Sequence, residues 1–127
     1  MTNRKILVVD DDTDLRETLK ISMENSGFDV LEAIDGESGL ALALSSKPDL
    51  ILLDITMPKM NGLQMLHTLR KDAWGKDVPV LLLTNADDPT HIVRGVELKS
   101  NDYLIKSQTS LETIVKTIRQ QLMGYHN

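Results

Sequence analysis

A chain of 127 residues has the size of one ordinary domain and can bury roughly 65–70% of its unfolded surface, which suits one core and not two. Hydrophobic residues at 41% and charged residues at 26% exclude a disordered or fibrous chain, while aromatics at 3% require an aliphatic core, such as a buried sheet of Val, Ile and Leu. With 14 basic against 19 acidic side chains and a formal charge of −5, a direct grip on nucleic acid is not expected, and the lack of cysteine excludes a disulfide framework, thiolate catalysis and cysteine-bound zinc.

A cysteine-free chain fits a reducing compartment, and the cytoplasm is the expected location. The apolar run after Arg4 and Lys5 is only Ile6 to Val9, too short for a signal peptide, and nothing approaches the roughly 20 apolar residues of a membrane span. Ile6 to Val9 is instead a first strand. The helix after it repeats Leu15, Leu19 and Met23, with Asp12 or Thr13 as N-cap and Asn25 to Gly27 as its close. Phe28 to Ala33 is a second strand, and Gly36 opens a helix that ends near Ser45 and Ser46, because Pro48 forbids its continuation.

Leu50 to Leu53 is a wholly apolar third strand ending at Asp54, and a third helix after the Ile55 to Asn61 loop places Leu63, Leu66 and Leu69 inward. Val80 to Leu83 is a fourth strand. Asp87, Asp88 and Pro89 then open a fourth helix with Ile92, Val93 and Val96 on one side. Tyr103 to Ile105 is a short fifth strand, and a last helix carries the stripe Leu111, Ile114, Val115, Ile118 and Leu122 opposite Glu112, Lys116 and Arg119. Five strand–helix units with right-handed crossovers predict one α/β domain over residues 1–127, doubly wound around a parallel sheet, with an ordered core of about 4–123 and a loose tail from Gly124.

Polar residues stand where the buried strands end: Asp10, Asp11 and Asp12 after the first, Asp54 after the third, Thr84 after the fourth, Lys106 after the fifth. Ligands of open α/β sheets bind beyond these carboxyl ends, where the winding reverses, so Asp10, Asp11, Asp54, Thr84 and Lys106 are expected to converge. Asp12 is assigned to the helix cap. Two carboxylates about 4 Å apart repel by roughly 4 kcal/mol at an effective dielectric near 20, so three acids against one ammonium need a further cation. Oxygen-only ligands that leave room for phosphate select Mg²⁺ over Ca²⁺. Such an ion can gather a phosphoryl donor against Asp54, with Lys106 and the Thr84 hydroxyl on the equatorial oxygens.

The stretches Ile6-Leu7-Val8-Val9-Asp10-Asp11, Leu52-Leu53-Asp54-Ile55-Thr56-Met57-Pro58 with Asn61-Gly62, Leu82-Leu83-Thr84, and Asp102-Tyr103-Leu104-Ile105-Lys106 resemble the receiver domain of two-component response regulators. The resemblance covers essentially the whole chain. It implies a flavodoxin-like (βα)5 fold with sheet order 2-1-3-4-5 and a phosphorylation-activated signalling switch, not a turnover enzyme. Asp54 is then the phosphoacceptor, Asp10 and Asp11 the acidic pair with Asp11 on Mg²⁺, and the Thr56 carbonyl a further ligand. Thr84 and Lys106 bind the phosphoryl group, and Thr84 moves inward while Tyr103 turns to follow. That remodels the surface of the fourth helix, fifth strand and fifth helix. The implied partners are a histidine kinase or histidine phosphotransfer protein, an unidentified downstream protein, and a second copy once phosphorylated; no membrane and no direct nucleic acid are expected.

Three departures accompany the match. Ser107 follows Lys106 where receivers usually carry a proline joined by a cis peptide, a bond that costs about 3 kcal/mol without proline. Asn85 beside Thr84 is larger than the family prefers, Thr56 and Ala86 occupy positions that tune acyl-phosphate lifetime in relatives, and the usual glycine before the fifth strand is absent, with Asn101 best able to take the left-handed turn instead. Two rival readings are a receiver-like interaction module independent of phosphorylation and a haloacid-dehalogenase-like phosphatase. The latter places its nucleophile in an Asp-x-Asp-x-Thr/Val pattern that Asp10-Asp11-Asp12-Thr13-Asp14 does not complete. His67, His91 and His126 lack ligand spacing, and Gly36-Glu37-Ser38-Gly39 lacks the lysine and length of a P-loop. No effector domain follows the last helix, so output is expected through contact with another protein unless the chain is a piece of a larger regulator.

Overall fold

The computed structural model describes residues 3–57, 59–84, 94–99 and 102–123. In chain order it contains β1 (Lys5–Val9), α1 (Thr13–Asn25), β2 (Asp29–Ala33), α2 (Gly36–Ser46), β3 (Leu50–Asp54), α3 (Gly62–Leu69), β4 (Val80–Thr84), α4 described over residues 94–97, β5 (Asp102–Ile105), a 3₁₀ turn (Lys106–Gln108) and α5 (Leu111–Leu122). The strands form one sheet in the order β2-β1-β3-β4-β5, every pair parallel. The expected flavodoxin-like topology is therefore present, and the winding reverses between β1 and β3.

Alternation along the central strands divides the core. Leu7, Val9, Ile51, Leu53, Val80 and Leu82 face one side with Ala43 of α2, Met65, Leu66 and Leu69 of α3, and Leu98. Ile6, Val8, Leu50, Leu52, Leu81 and Leu83 face the other with Leu19 and Met23 of α1 and Ile114, Val115 and Ile118 of α5. Successive side chains of a strand point to opposite faces, so an unbroken apolar run fits a strand covered by helices on both sides.

Several local expectations change. Phe28 precedes β2, because its amide donates to Met23 O at 3.0 Å and so closes α1 with Gly27, whose φ is +96°. Leu63 is only half-buried, and Met65 takes the fully buried place beside Leu66 and Leu69. Val96 is 67% exposed, with Gly95 and Leu98 turned inward. Ile92, Val93 and Asn101 lie outside the described residues; the left-handed residue described before β5 is Lys99, at φ 60°. Asp12 caps α1 as expected, its side chain accepting from Leu15 N.

Arg70, just past α3, ties the far end of the molecule together. Its Nε donates to Leu98 O at 2.9 Å, Nη1 to Gly75 O and Val78 O at 2.7 and 2.9 Å, and Nη2 to Lys99 O at 2.9 Å. Burial lowers the Arg70 pKa, partly opposed by Asp77. Arg70→Met leaves these carbonyls without their charged donor and is expected to cost about 2 kcal/mol. Urea unfolding followed through Trp74, the single tryptophan, measures this; a loss within about 0.5 kcal/mol would show that water replaces the guanidinium freely.

Candidate functional site

Four of the five strands bring one polar residue each to the same edge of the sheet. Asp10 follows β1 and is fully buried. Its amide donates to Ala33 O at 3.1 Å, and its Oδ1 accepts from Asp12 N at 2.9 Å. Asp54 is the last residue of β3 and is 1% exposed. Its Oδ1 accepts from Thr56 N at 3.4 Å, a long bond. On the next strand, Thr84 is buried at the end of β4, paired with Ile105 in the ladder. The 3₁₀ turn after β5 then delivers Lys106.

The Lys106 ammonium stands between the two buried acids, its Nζ 2.9 Å from Asp10 Oδ2 and 3.2 Å from Asp54 Oδ2. Those two oxygens are buried without a hydrogen bond of acceptable angle, so the ammonium acts on them as a close point charge. Burial, with the Asp10 carboxylate adding to it, pushes the Asp54 pKa up to about 6 against the pull of Lys106. Burial alone lowers Lys106, but the two carboxylates outweigh it and raise its pKa. Asp11 is exposed at the mouth, and one carboxylate oxygen each from Asp10, Asp11 and Asp54 lie within 4.8 Å of one another.

That arrangement fits a hard divalent cation. Two of the acids are buried and one is open to solvent, every candidate ligand atom is oxygen, and three carboxylates stand against the single Lys106 ammonium, which leaves room for a further cation. Thr56 is exposed in the loop after β3, two residues past Asp54, where its amide already contacts the acid. Tyr103 lies on β5 opposite Leu82, 39% exposed and three residues before Lys106. Pro58, Asn85 and Ala86 fall outside the described residues, as do His91 and His126. No peptide bond among the described residues is cis, so the chain passes from Lys106 to Ser107 through a trans bond.

The loop that carries Thr56 is anchored at its far end. Met60 O accepts from Gly36 N at 3.0 Å, Gly62 N donates to Ile55 O at 2.9 Å, and Asn61 and Gln64 form a reciprocal capping box at the start of α3. Arg16, to which the sequence assigned no role, reaches the Asp10 carbonyl at 2.9 Å. A basic residue one turn into a helix reads as solvent-facing, and no periodicity would have found it.

Comparison with known proteins agrees with this geometry. Residues 6–119 match the response regulator receiver domain family. The chain is 41% identical over 120 residues to protein PilH of Pseudomonas aeruginosa, covering 94% of this chain and 98% of that protein. It is 42% identical over 104 residues to the alkaline phosphatase synthesis transcriptional regulatory protein PhoP of Bacillus subtilis, covering 82% of this chain but 42% of that protein. Thus it spans about half the length, or less, of several curated relatives. Among solved structures, the chemotaxis response regulator CheY4 of Vibrio cholerae superposes with a TM-score of 0.86 at 30% identity, over 94% of this chain and 98% of that one. Among the described residues no helix is long and apolar enough to cross a membrane. With the sheet order, the strand-end acids and the match over residues 6–119, the chain belongs to the receiver domain family of two-component response regulators.

Proposed function

We propose that this receiver domain is a switch set by phosphorylation of Asp54, with Mg²⁺ as cofactor and a histidine kinase or histidine phosphotransfer protein as donor. The observation that carries the reading is the position of Asp54: a buried carboxylate beside Asp10 and Asp11, with the Lys106 ammonium 3.2 Å away. An Asp54 oxygen attacks phosphorus as the bond to the donor imidazole breaks, the electron pair leaving with the imidazole nitrogen. Asp10, Asp11, Asp54 and the Thr56 carbonyl would hold the cation, and a bound cation would offset the charge of phosphoryl oxygens beside Asp54. Lys106 and the Thr84 hydroxyl receive the equatorial oxygens.

Phosphorylation replaces one carboxylate charge by roughly −1.5 to −2 and adds three acceptor oxygens. Lys106 is then drawn from Asp10 toward the new group, and Thr84, at the end of the adjacent strand, moves with it. Tyr103 shares β5 with Leu104 and Ile105 and transmits the shift to the face built by α4, β5 and α5, where a downstream protein or a second copy docks. The residues act once per signal and the domain is not a turnover enzyme. No direct nucleic-acid contact is assigned to this acidic domain.

Acetyl phosphate with Mg²⁺ tests the chemistry. Wild type is expected to gain one acid-stable, hydroxylamine-labile phosphoryl group, Asp54→Asn none, and chelation of Mg²⁺ is expected to abolish labelling. Amide spectra should change over residues 94–99, 103–105 and 111–122. Label that survives in Asp54→Asn and disappears in Asp10→Asn would point to phosphatase-like chemistry, and an unlabelled wild type to a module independent of phosphorylation.

A further inference from the structure

The ladder between β1 and β2 stops at the acidic site, and one side chain completes it. Asp29 N donates to Arg4 O at 2.9 Å and Asp10 N to Ala33 O at 3.1 Å, the two ends of a parallel register that runs from Lys5↔Asp29 to Val9↔Ala33. One further rung, on the two-residue period of the ladder, would bring the amide of residue 35 to the Asp10 carbonyl. That rung does not form: Asp35 is the N-cap of α2, and its amide makes no bond to Asp10 O.

Arg16 reaches into the gap from α1. Its Nη1 donates to Asp10 O at 2.9 Å, and its Nε lies 3.2 Å from Glu32 Oε1 on β2. The guanidinium therefore spans the same two strands that the missing amide would have joined. Only 11% of the Arg16 side chain is exposed, and Lys20 holds the other Glu32 oxygen at 3.6 Å. A planar fork with several donors can serve a carbonyl and a carboxylate together, which a single ammonium does less well.

The carbonyl held by Arg16 belongs to the peptide that joins Asp10 to Asp11. The Asp10 amide is fixed on Ala33, its Oδ1 on Asp12 and its Oδ2 beside Lys106. With Arg16 on its oxygen, the plane of that peptide is held from both sides, and it sets the point from which the exposed Asp11 side chain leaves the backbone. We propose that Arg16 is a positioning residue for the divalent-cation site, its guanidinium standing in for the missing rung and aiming Asp10 and Asp11 at Asp54 before a cation arrives. The inference rests on the reading of Asp10, Asp11 and Asp54 as an Mg²⁺ site. Arg16 itself bears a positive charge and ligates nothing; it acts through the backbone.

A purely structural role would reside in the ion pair with Glu32, and the two roles separate in Mg²⁺ titrations of the full chain followed by the amide signals of residues 10–12 and 54–56. Glu32→Gln keeps the donor on the Asp10 carbonyl and should leave the Mg²⁺ Kd within about twofold of wild type, as expected of a change outside the site. Arg16→Met should raise the Kd about tenfold or more, as loss of a supporting contact behind a metal ligand commonly does. If Arg16→Met does not fold, the double variant Arg16→Met/Glu32→Met replaces the largely buried pair with apolar volume, a change that usually preserves stability. It should then melt close to wild type yet keep the weakened Kd. Wild-type affinity in either Arg16 variant overturns the inference, and so does a loss in Glu32→Gln as large as in Arg16→Met. A wild type that binds no Mg²⁺ overturns the reading of the site and this inference with it, whereas a binding wild type matched by its Arg16 variants overturns the inference alone.

Discussion

Lys106→Met is expected to lower the stability of the metal-free domain by about 3–5 kcal/mol above neutral pH, the usual cost of removing one partner from a buried ionic cluster. The Lys106 ammonium is the cation within 4 Å of both Asp10 and Asp54 among the described residues. Without it two buried carboxylates face each other, and the Asp54 pKa, already raised to about 6 by burial and by Asp10, rises further. Because the folded-state value lies above the unfolded one, the native domain holds a proton that the unfolded chain has released. Stability therefore falls as pH rises from about 4 through the raised pKa, and the deficit of the variant widens over the same window. Urea unfolding in EDTA at pH 5 and pH 8 measures this, with the larger deficit expected at pH 8. Adding Asp54→Asn to Lys106→Met should recover most of the loss, since it removes the carboxylate left unpaired. A deficit below about 1 kcal/mol at both pH values would mean that solvent screens the cluster as it does a surface pair.

The acidic site was legible because a parallel sheet gives its strands a common direction. Once Ile6 to Val9, Leu50 to Leu53 and Val80 to Leu83 read as strands, the residues that follow them must meet at one edge, and Asp10, Asp54, Thr84 and Lys106 do. The meeting of Lys106 with the acids was expected, but its near-equal approach to Asp10 and Asp54 was not legible, because it depends on where the 3₁₀ turn after β5 sets its first residue. Helix faces were read less well than strand ends. In α3 the spacing allows either Leu63 or Met65 beside Leu66 and Leu69, and the approach to the sheet, not hydrophobicity, selects Met65. Val96 shows the reverse, an apolar residue left in solvent on a short described turn whose inward places go to Gly95 and Leu98. Phe28 failed as a strand residue because its amide is committed to Met23 O, a bond between neighbouring elements that alternation of apolar residues does not encode.

Gly62→Ala is expected to cost at least about 3 kcal/mol, and for a reason that the sequence only hinted at when it placed a glycine after Asn61. A Cβ at position 62 would stand 2.2 Å from Asp54 O, 2.9 Å from Asp54 C and 2.9 Å from Ile55 Cα. All three are backbone atoms of the strand end that carries the candidate acceptor, so no side chain can rotate aside. β3 lies between β1 and β4 with both ladders made, and α3 is held by its capping box and by Met65, Leu66 and Leu69 in the core. Relief therefore requires α3 to lift from the sheet, loosening those contacts and the 2.9 Å bond from Gly62 N to Ile55 O. Gly27→Ala provides the comparison, because its φ of +96° is strained for alanine while nothing lies within 4 Å of the added carbon. It should cost roughly 1–2 kcal/mol. The difference between the two variants in urea isolates the close approach from backbone strain, and the folded fraction of Gly62→Ala should also bind Mg²⁺ more weakly, since the clash bears on Asp54. Equal losses for the two variants would show that α3 yields cheaply and that its seating against β3 does not set the position of the acid.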